Sequence, residues 1–400
     1  MQIVVAVTYS WTVFREPLAQ YHGWSKAQTI MPYRYSLLAV ALGTVIGGLW
    51  QDRRGARIVA SAGGILVGIG FIISAIYGTS VAGLVIGWGI VAGLGAGFVY
   101  VTPIANLVKW FPDKRGMMVG LAVMGAGISP LFWSPLIERL IGKNPAQFQE
   151  TIPHAFEVMT LIFVVCVVGA AQLYRVPSQG WTPPGLPLEA HKAQGMEISA
   201  AQMLATWQFY ALWGIFLLGA AVGLIAIGQV SPLFQEFTTA APISAGVALG
   251  IMGICNGSGR LGWGALSDRI GRKATLVAMN LVSIIVCLGF LRSIRGFWDL
   301  IVGLCLAAFV YGGFLSLMPA LSADYFGKVN VGGNYGLLFS AWGISGFLAP
   351  GYFESALDRA REAGALVAGY RDVYAKLAVF AAIAAILGIL LRRPRSDARA

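Results

Sequence analysis

Charge is what this sequence has least of. Only 11% of its 400 residues are charged, against about a quarter in a soluble domain. A mean hydropathy of +0.73 does not fit a surface that faces water throughout. Acids are scarcer than bases, 17 against 28, and none falls in the middle of an apolar run. Glu138, Asp324 and Glu354 stand at run ends. This leaves no carboxylate pair for acid–base work and no carboxylate relay buried in mid-span. The four cysteines, Cys166, Cys255, Cys287 and Cys305, lie inside apolar runs. They have neither metal-ligand spacing nor a disulfide framework. The three histidines, His22, His154 and His191, are scattered, so no metal and no cofactor is expected. With no nucleophile–base set either, an enzyme is the least favoured class. Gly257-x-Gly259-x-x-Gly262 matches a dinucleotide fingerprint by letter. It lies in an apolar helical run with no strand before it, so its glycines are read as helix-packing residues.

What the chain has instead is apolar runs, at about 1–14, 26–50, 58–77, 81–108, 116–138, 154–174, 206–233, 243–266, 274–292, 298–322, 334–356 and 370–391. Most can cross a hydrocarbon layer of about 30 Å. They are too long and continuous for barrel strands, so helices must satisfy their backbone. The run that opens at Met1 reaches only Phe14 and is too short to span. The expected fold is an all-α polytopic membrane protein of twelve spans, the first truncated.

The longest polar stretch, 175–205, follows the sixth run and reads as a linker. It divides the chain into a first half (1–174) and a second (206–391), with a basic tail at 392–400. Loops on the side of the termini and linker hold sixteen Lys or Arg against seven acids; the opposite loops hold ten of each. The basic excess of +11 is thus a topology signal and not a nucleic-acid footprint. It puts both termini and the linker in the cytoplasm.

Two loops repeat. Gly48-x-x-x-Asp52-Arg53-x-Gly55-x-Arg57 returns 216 residues later as Gly264-x-x-x-Asp268-Arg269-x-Gly271-x-Lys273. The same offset pairs Gly97-Phe98 with Gly313-Phe314, Pro103 with Pro319, Gly120-Leu121 with Gly336-Leu337, and Gly127-Ile128-Ser129 with Gly343-Ile344-Ser345. The halves are copies, the plan of many secondary transporters. In the loop motif, glycine allows the reversal, and the aspartate can accept from a helix N-terminus or from an arginine.

Where the copies differ is equally informative. Arg260 stands opposite Thr44, and Trp342 opposite Ala126. Arg260 lies roughly 12 Å above the loop at Asp268, at a depth where a charge costs about 2.5–3.5 kcal/mol. It reads either as an anion site, since guanidinium grips a carboxylate bidentately and keeps its proton, or as a structural arginine bonded to backbone carbonyls. Arg34, roughly 27 Å above Asp52, reads as a snorkelling residue or an anion-attracting one at the outer mouth. Tyr9, Trp11, Tyr100, Tyr311, Phe339 and Trp342 can together wall a small cavity.

Tyr9-Ser10-Trp11-Thr12, Trp110-Phe111-Pro112-Asp113-Lys114-Arg115-Gly116, the run from Asn256 to Arg272 and Asn334-Tyr335-Gly336 resemble the oxalate/formate antiporter family, a bacterial branch near the monocarboxylate transporters. The loop motif resembles the cytoplasmic signature of the major facilitator superfamily. The resemblance covers nearly the whole chain. It implies the major facilitator fold, a latch at Asp52, Arg53, Asp268 and Arg269, and transport of small carboxylates in a cell inner membrane. It also implies that Arg260 binds substrate, that Tyr9 and Tyr100 line the cavity, and that Tyr311 and Phe339 stand where the oxalate carrier has tryptophans. Trp342 departs from the pattern, standing where the oxalate carrier has a second cation, so a monocarboxylate such as lactate, pyruvate or formate is expected. Asn256 stands where animal monocarboxylate carriers have an aspartate linked to proton coupling. The family's fuller first helix suggests a start upstream of Met1.

The expected function is therefore alternating-access transport of a small monocarboxylate by a monomer in the lipid bilayer, with a proton or a counter-anion as co-substrate. The rivals are efflux of amphipathic drugs and a carboxylate sensor that binds without translocating.

Overall fold

Long apolar segments leave helices as the way to satisfy the backbone, and every described element is helical. The computed structural model describes residues 1–178, 181, 197–228, 233, 243 and 245–394. Most of the expected linker, the end of the seventh run, the start of the eighth and residues 395–400 lie outside the described residues.

Three consecutive pieces, Gln2–Val5, Ala6–Ser10 and Trp11–His22, form α1. There follow α2 (Lys26–Arg54), α3 (Ala56–Tyr77), α4 (Val81–Trp110), α5 (Arg115–Ile141) and α6 (Pro145–Ala171). Then come α7 (Trp207–Gly228), α8 (Ala245–Ile270), α9 (Arg272–Leu291), α10 (Phe297–Phe326), α11 (Val331–Glu362) and α12 (Leu366–Leu390). Among the described residues nine of these are both long and apolar enough to cross a membrane. The expected spans outside that set are α1, α8 and α11. α1 is broken into three short pieces, and polar residues interrupt the others: Asn256 and Arg260 in α8, Asn334 and Ser340 in α11.

The end expected at Phe14 is corrected. Hydropathy falls there, but the buried stripe Trp11, Phe14, Leu18 continues at helical spacing. The helix runs on to His22 and stops at Gly23 with φ 67°. Residues 2–22 are thus helical over about 31 Å.

The sequence repeat is also a repeat of helix bounds. Val81–Trp110 becomes Phe297–Phe326 at the same offset of 216, the last residue of α2 becomes that of α8, and the first residues of α3 and α5 become those of α9 and α11. Gly55 and Gly271, in the two loop motifs, have φ of 85° and 90°, a region that side chains avoid.

Glycines bring the halves together along two crossings, α2 on α11 and α8 on α5. A methyl group at Gly48 would run into the Gly332 carbonyl, and one at Gly264 into that of Gly116. Gly336 meets the Thr44 carbonyl and Gly120 that of Arg260. Each crossing is the other displaced by 216 residues, and a side chain at any of these points would force the helices apart.

Candidate functional site

At the end carrying the two loop motifs, each aspartate caps a helix of the other half. Asp52 Oδ1 and Oδ2 accept from the Gly332 and Gly333 N–H groups at 3.3 and 2.7 Å. Asp268 accepts from the Gly116 and Met117 N–H groups at 3.1 and 2.8 Å. The first turns of α11 and α5 hold unpaired donors and the positive end of the helix dipole, so carboxylates suit them.

The cations beside these aspartates are not the ones next to them in sequence. Arg53 and Arg269 are exposed; consecutive residues on a helix point about 100° apart and share no face. Asp52 pairs with Lys109 at 3.4 Å. Asp268 pairs with Arg272 at 2.6 Å, and Arg272 reaches on to Asp324 at 3.0 Å. Asp324 also holds Arg115 at 2.6 Å, and Arg272 contacts Ser267. Lys109, Arg115, Arg272 and Asp324 are thus the ionic partners that sequence adjacency did not single out. Beside them, Glu197 accepts from the N–H groups of Lys328 and Val329 at 3.1 and 2.9 Å. The segment entering α7 is thereby tied to the loop that leads into α11. Burial, with Arg115 nearby, lowers the pKa of Lys328 from its ordinary value, and Glu197 works the other way.

Deeper in, Arg260 is 1% exposed. Its Nε donates to Asn256 Oδ1 at 2.8 Å, and Nη1 donates to the Val123 carbonyl of α5, also at 2.8 Å. Nη2 is buried and has no hydrogen-bond partner among the described residues. Two of its three nitrogens are thus bonded to the protein, and the N–H groups of Nη2 are left over. Asn256 is the group that holds the guanidinium.

A small aromatic cavity of about 40 Å³ lies between the halves, lined by Tyr9, Tyr100, Ala126, Phe339 and Trp342 among others. Phe339 stacks on Trp342 with centroids 4.7 Å apart and meets Tyr100 at 4.8 Å. Trp342 Nε1 donates to Tyr311 Oη at 2.7 Å, and the Tyr9 and Tyr311 hydroxyls lie 3.4 Å apart. Neither Arg260, Asn256 nor Tyr311 lines this cavity, although Arg260 is near enough to act electrostatically on Tyr100 and Tyr311. Trp11 does not join the set. It packs on Trp88 and Phe14, and its Nε1 donates to the Thr29 carbonyl at 2.8 Å. Tyr335 joins instead, with its hydroxyl 3.4 Å from that of Tyr100 and its ring against Phe339.

The wall is lopsided. Tyr311, Tyr335, Phe339 and Trp342 have Gly95, Val119, Val123 and Ala126 as their first-half counterparts. Large rings from one half fill room that the other leaves open. At the opposite end of the α2–α11 crossing, Arg34 Nη2 donates to the Phe347 carbonyl at 3.2 Å, and its guanidinium sits 4.8 Å from the Phe347 ring centroid. This crossing is therefore closed at both ends.

The Major Facilitator Superfamily matches residues 3–350 and 230–400. The chain belongs to that superfamily. The oxalate:formate antiporter of Oxalobacter formigenes is 29% identical over 85% of this chain and 78% of its own. The apicoplast pyruvate carrier 1 of Toxoplasma gondii is 25% identical over 76% of this chain and 64% of its own. The structure of the proton:xylose symporter XylE superposes with a TM-score of 0.73, 98% of this chain and 93% of that one covered, at 14% identity. That likeness shows the major facilitator fold. The protein is a multi-pass membrane transporter of this superfamily.

Proposed function

We propose that this transporter carries a small monocarboxylate, such as lactate, pyruvate or formate, by alternating access, with the carboxylate bound at Arg260. The observation that carries the reading is the leftover Nη2 donor. A buried guanidinium with an unsatisfied N–H is costly, and no carboxylate pairs with Arg260 among the described residues. A substrate carboxylate would satisfy that donor. Two relatives named for small carboxylates support the class. The aromatic cavity adds the limit on charge: Trp342 supplies an indole and no cation, so a second carboxylate would be buried unpaired.

In this reading the two halves rock about the site. The Asp52 and Asp268 latches close the cytoplasmic side, while Arg34 closes the outer mouth. Uptake of labelled lactate into proteoliposomes, challenged with unlabelled acids, tests the proposal. Formate, pyruvate and lactate should compete, and oxalate should not. Competition by oxalate as strong as that by pyruvate would overturn the Trp342 argument; binding with no flux would point to a sensor.

A further inference from the structure

A second cavity lies away from the centre. It holds about 740 Å³ between α9, the end of α10 and the end of α12. Its mouth carries Arg272, Lys273 and Arg393; its wall continues through Val277, Ala278 and Leu281 on α9 and Ile389 on α12. Leu281 lies roughly 13 Å along α9 from Arg272, and its side chain and that of Ile389 are exposed on the apolar flank. Arg272 and the neighbouring Asp324 are taken up by the latch. Lys273 and Arg393 are exposed and enter no ion pair among the described residues.

The first half provides an internal control, because its equivalent place is filled. Arg57, the counterpart of Lys273, donates to the Tyr174 carbonyl at 3.5 Å. Gln172 donates across the helices to Ser61 Oγ at 3.2 Å; Gly388 and Val277 hold those two positions in the second half. Gly64 also lets α3 and α6 close up, since a methyl there would lie 2.8 Å from Val167 Cγ1. Its counterpart is Asn280. Gly388 is buried close to Val277 and Leu276, so no side chain from it bridges these helices as Gln172 does in the first half.

We propose that this groove binds an anionic phospholipid, with the phosphate at Lys273 and Arg393 and an acyl chain along Val277, Leu281 and Ile389. Cations at a helix end attract anionic headgroups, and the apolar wall has no use for a water-soluble phosphate. A free anion would need only the mouth; a lipid uses both parts of the surface.

Native mass spectrometry of the full-length protein, purified with phosphatidylglycerol or phosphatidylcholine, provides the test. Phosphatidylglycerol should be retained preferentially, and the combined Lys273→Gln and Arg393→Gln variant should weaken that retention by roughly tenfold to thirtyfold. Arg57→Gln, at the filled position, should leave it unchanged. Thermal unfolding in phosphatidylcholine nanodiscs with added sodium phosphate should show no stabilisation, whereas phosphatidylglycerol nanodiscs should raise the midpoint. Equal retention of both lipids, equal retention by the double variant, or stabilisation by inorganic phosphate alone would overturn the proposal.

Discussion

The two aspartate caps share one geometry and differ in their surroundings. Asp52 and Asp268 each accept two backbone N–H bonds from the first turn of a helix in the other half. Around Asp52 stands a single, partly buried lysine at 3.4 Å. Around Asp268 stands a chain of charges, Arg272, Asp324 and Arg115, that itself crosses from one half to the other. The repeat thus conserves the cap and adds an ionic clasp to one copy only. At the centre the difference is sharper, since Arg260 faces Thr44 and the ring-bearing positions face small or apolar ones. Shared positions bring the two halves together, and the unshared ones gather at the centre and in the clasp.

The largest effect should come from breaking that central difference. Arg260→Ala should lower labelled-lactate uptake by about 100-fold or more, in line with the loss of a buried charged partner. Thr44→Val, at the equivalent place, should change it by less than about threefold. Next, Trp342→Lys should restore a second cation, and the ratio of oxalate to lactate uptake should rise by roughly tenfold. A ratio that stays fixed would separate the indole from selectivity.

The latches come third. With Ala126→Cys placed in the cavity wall of a cysteine-free background, Asp268→Asn should raise labelling by an impermeant thiol reagent added at the loop face by about tenfold. Asp52→Asn should raise it by about threefold, because a neutral amide keeps part of each cap and Asp268 alone also holds Arg272 of the ionic chain. Equal effects would mean that the clasp contributes nothing. Smallest of all, Arg53→Gln and Arg269→Gln should each alter that labelling by less than about twofold, as exposed charges do.

Much of this was legible in the chain. The offset of 216 locates the turns, and helical rise from Asp268 puts Arg260 deep in its span. Asymmetry at Arg260 and Trp342 marked the centre. The identity of ionic partners was not legible, because it depends on which helix ends meet. Arg53 follows Asp52 in sequence yet points away from it, while Lys109 comes from another helix altogether. Tyr335 lay within the motif that carries the family resemblance, but only the approach of α4 to α11 reveals that its hydroxyl meets Tyr100. The end of α1 was missed for a different reason. Hydropathy fails at Arg15, whereas burial of Leu18 carries the helix onward.

Calorimetric titration of lactate into the purified transporter tests the central claim most directly. Wild type should bind with measurable heat, Thr44→Val should bind with nearly the same Kd, and Arg260→Ala should show no saturable binding. An Arg260→Ala protein that keeps the wild-type Kd would contradict the account.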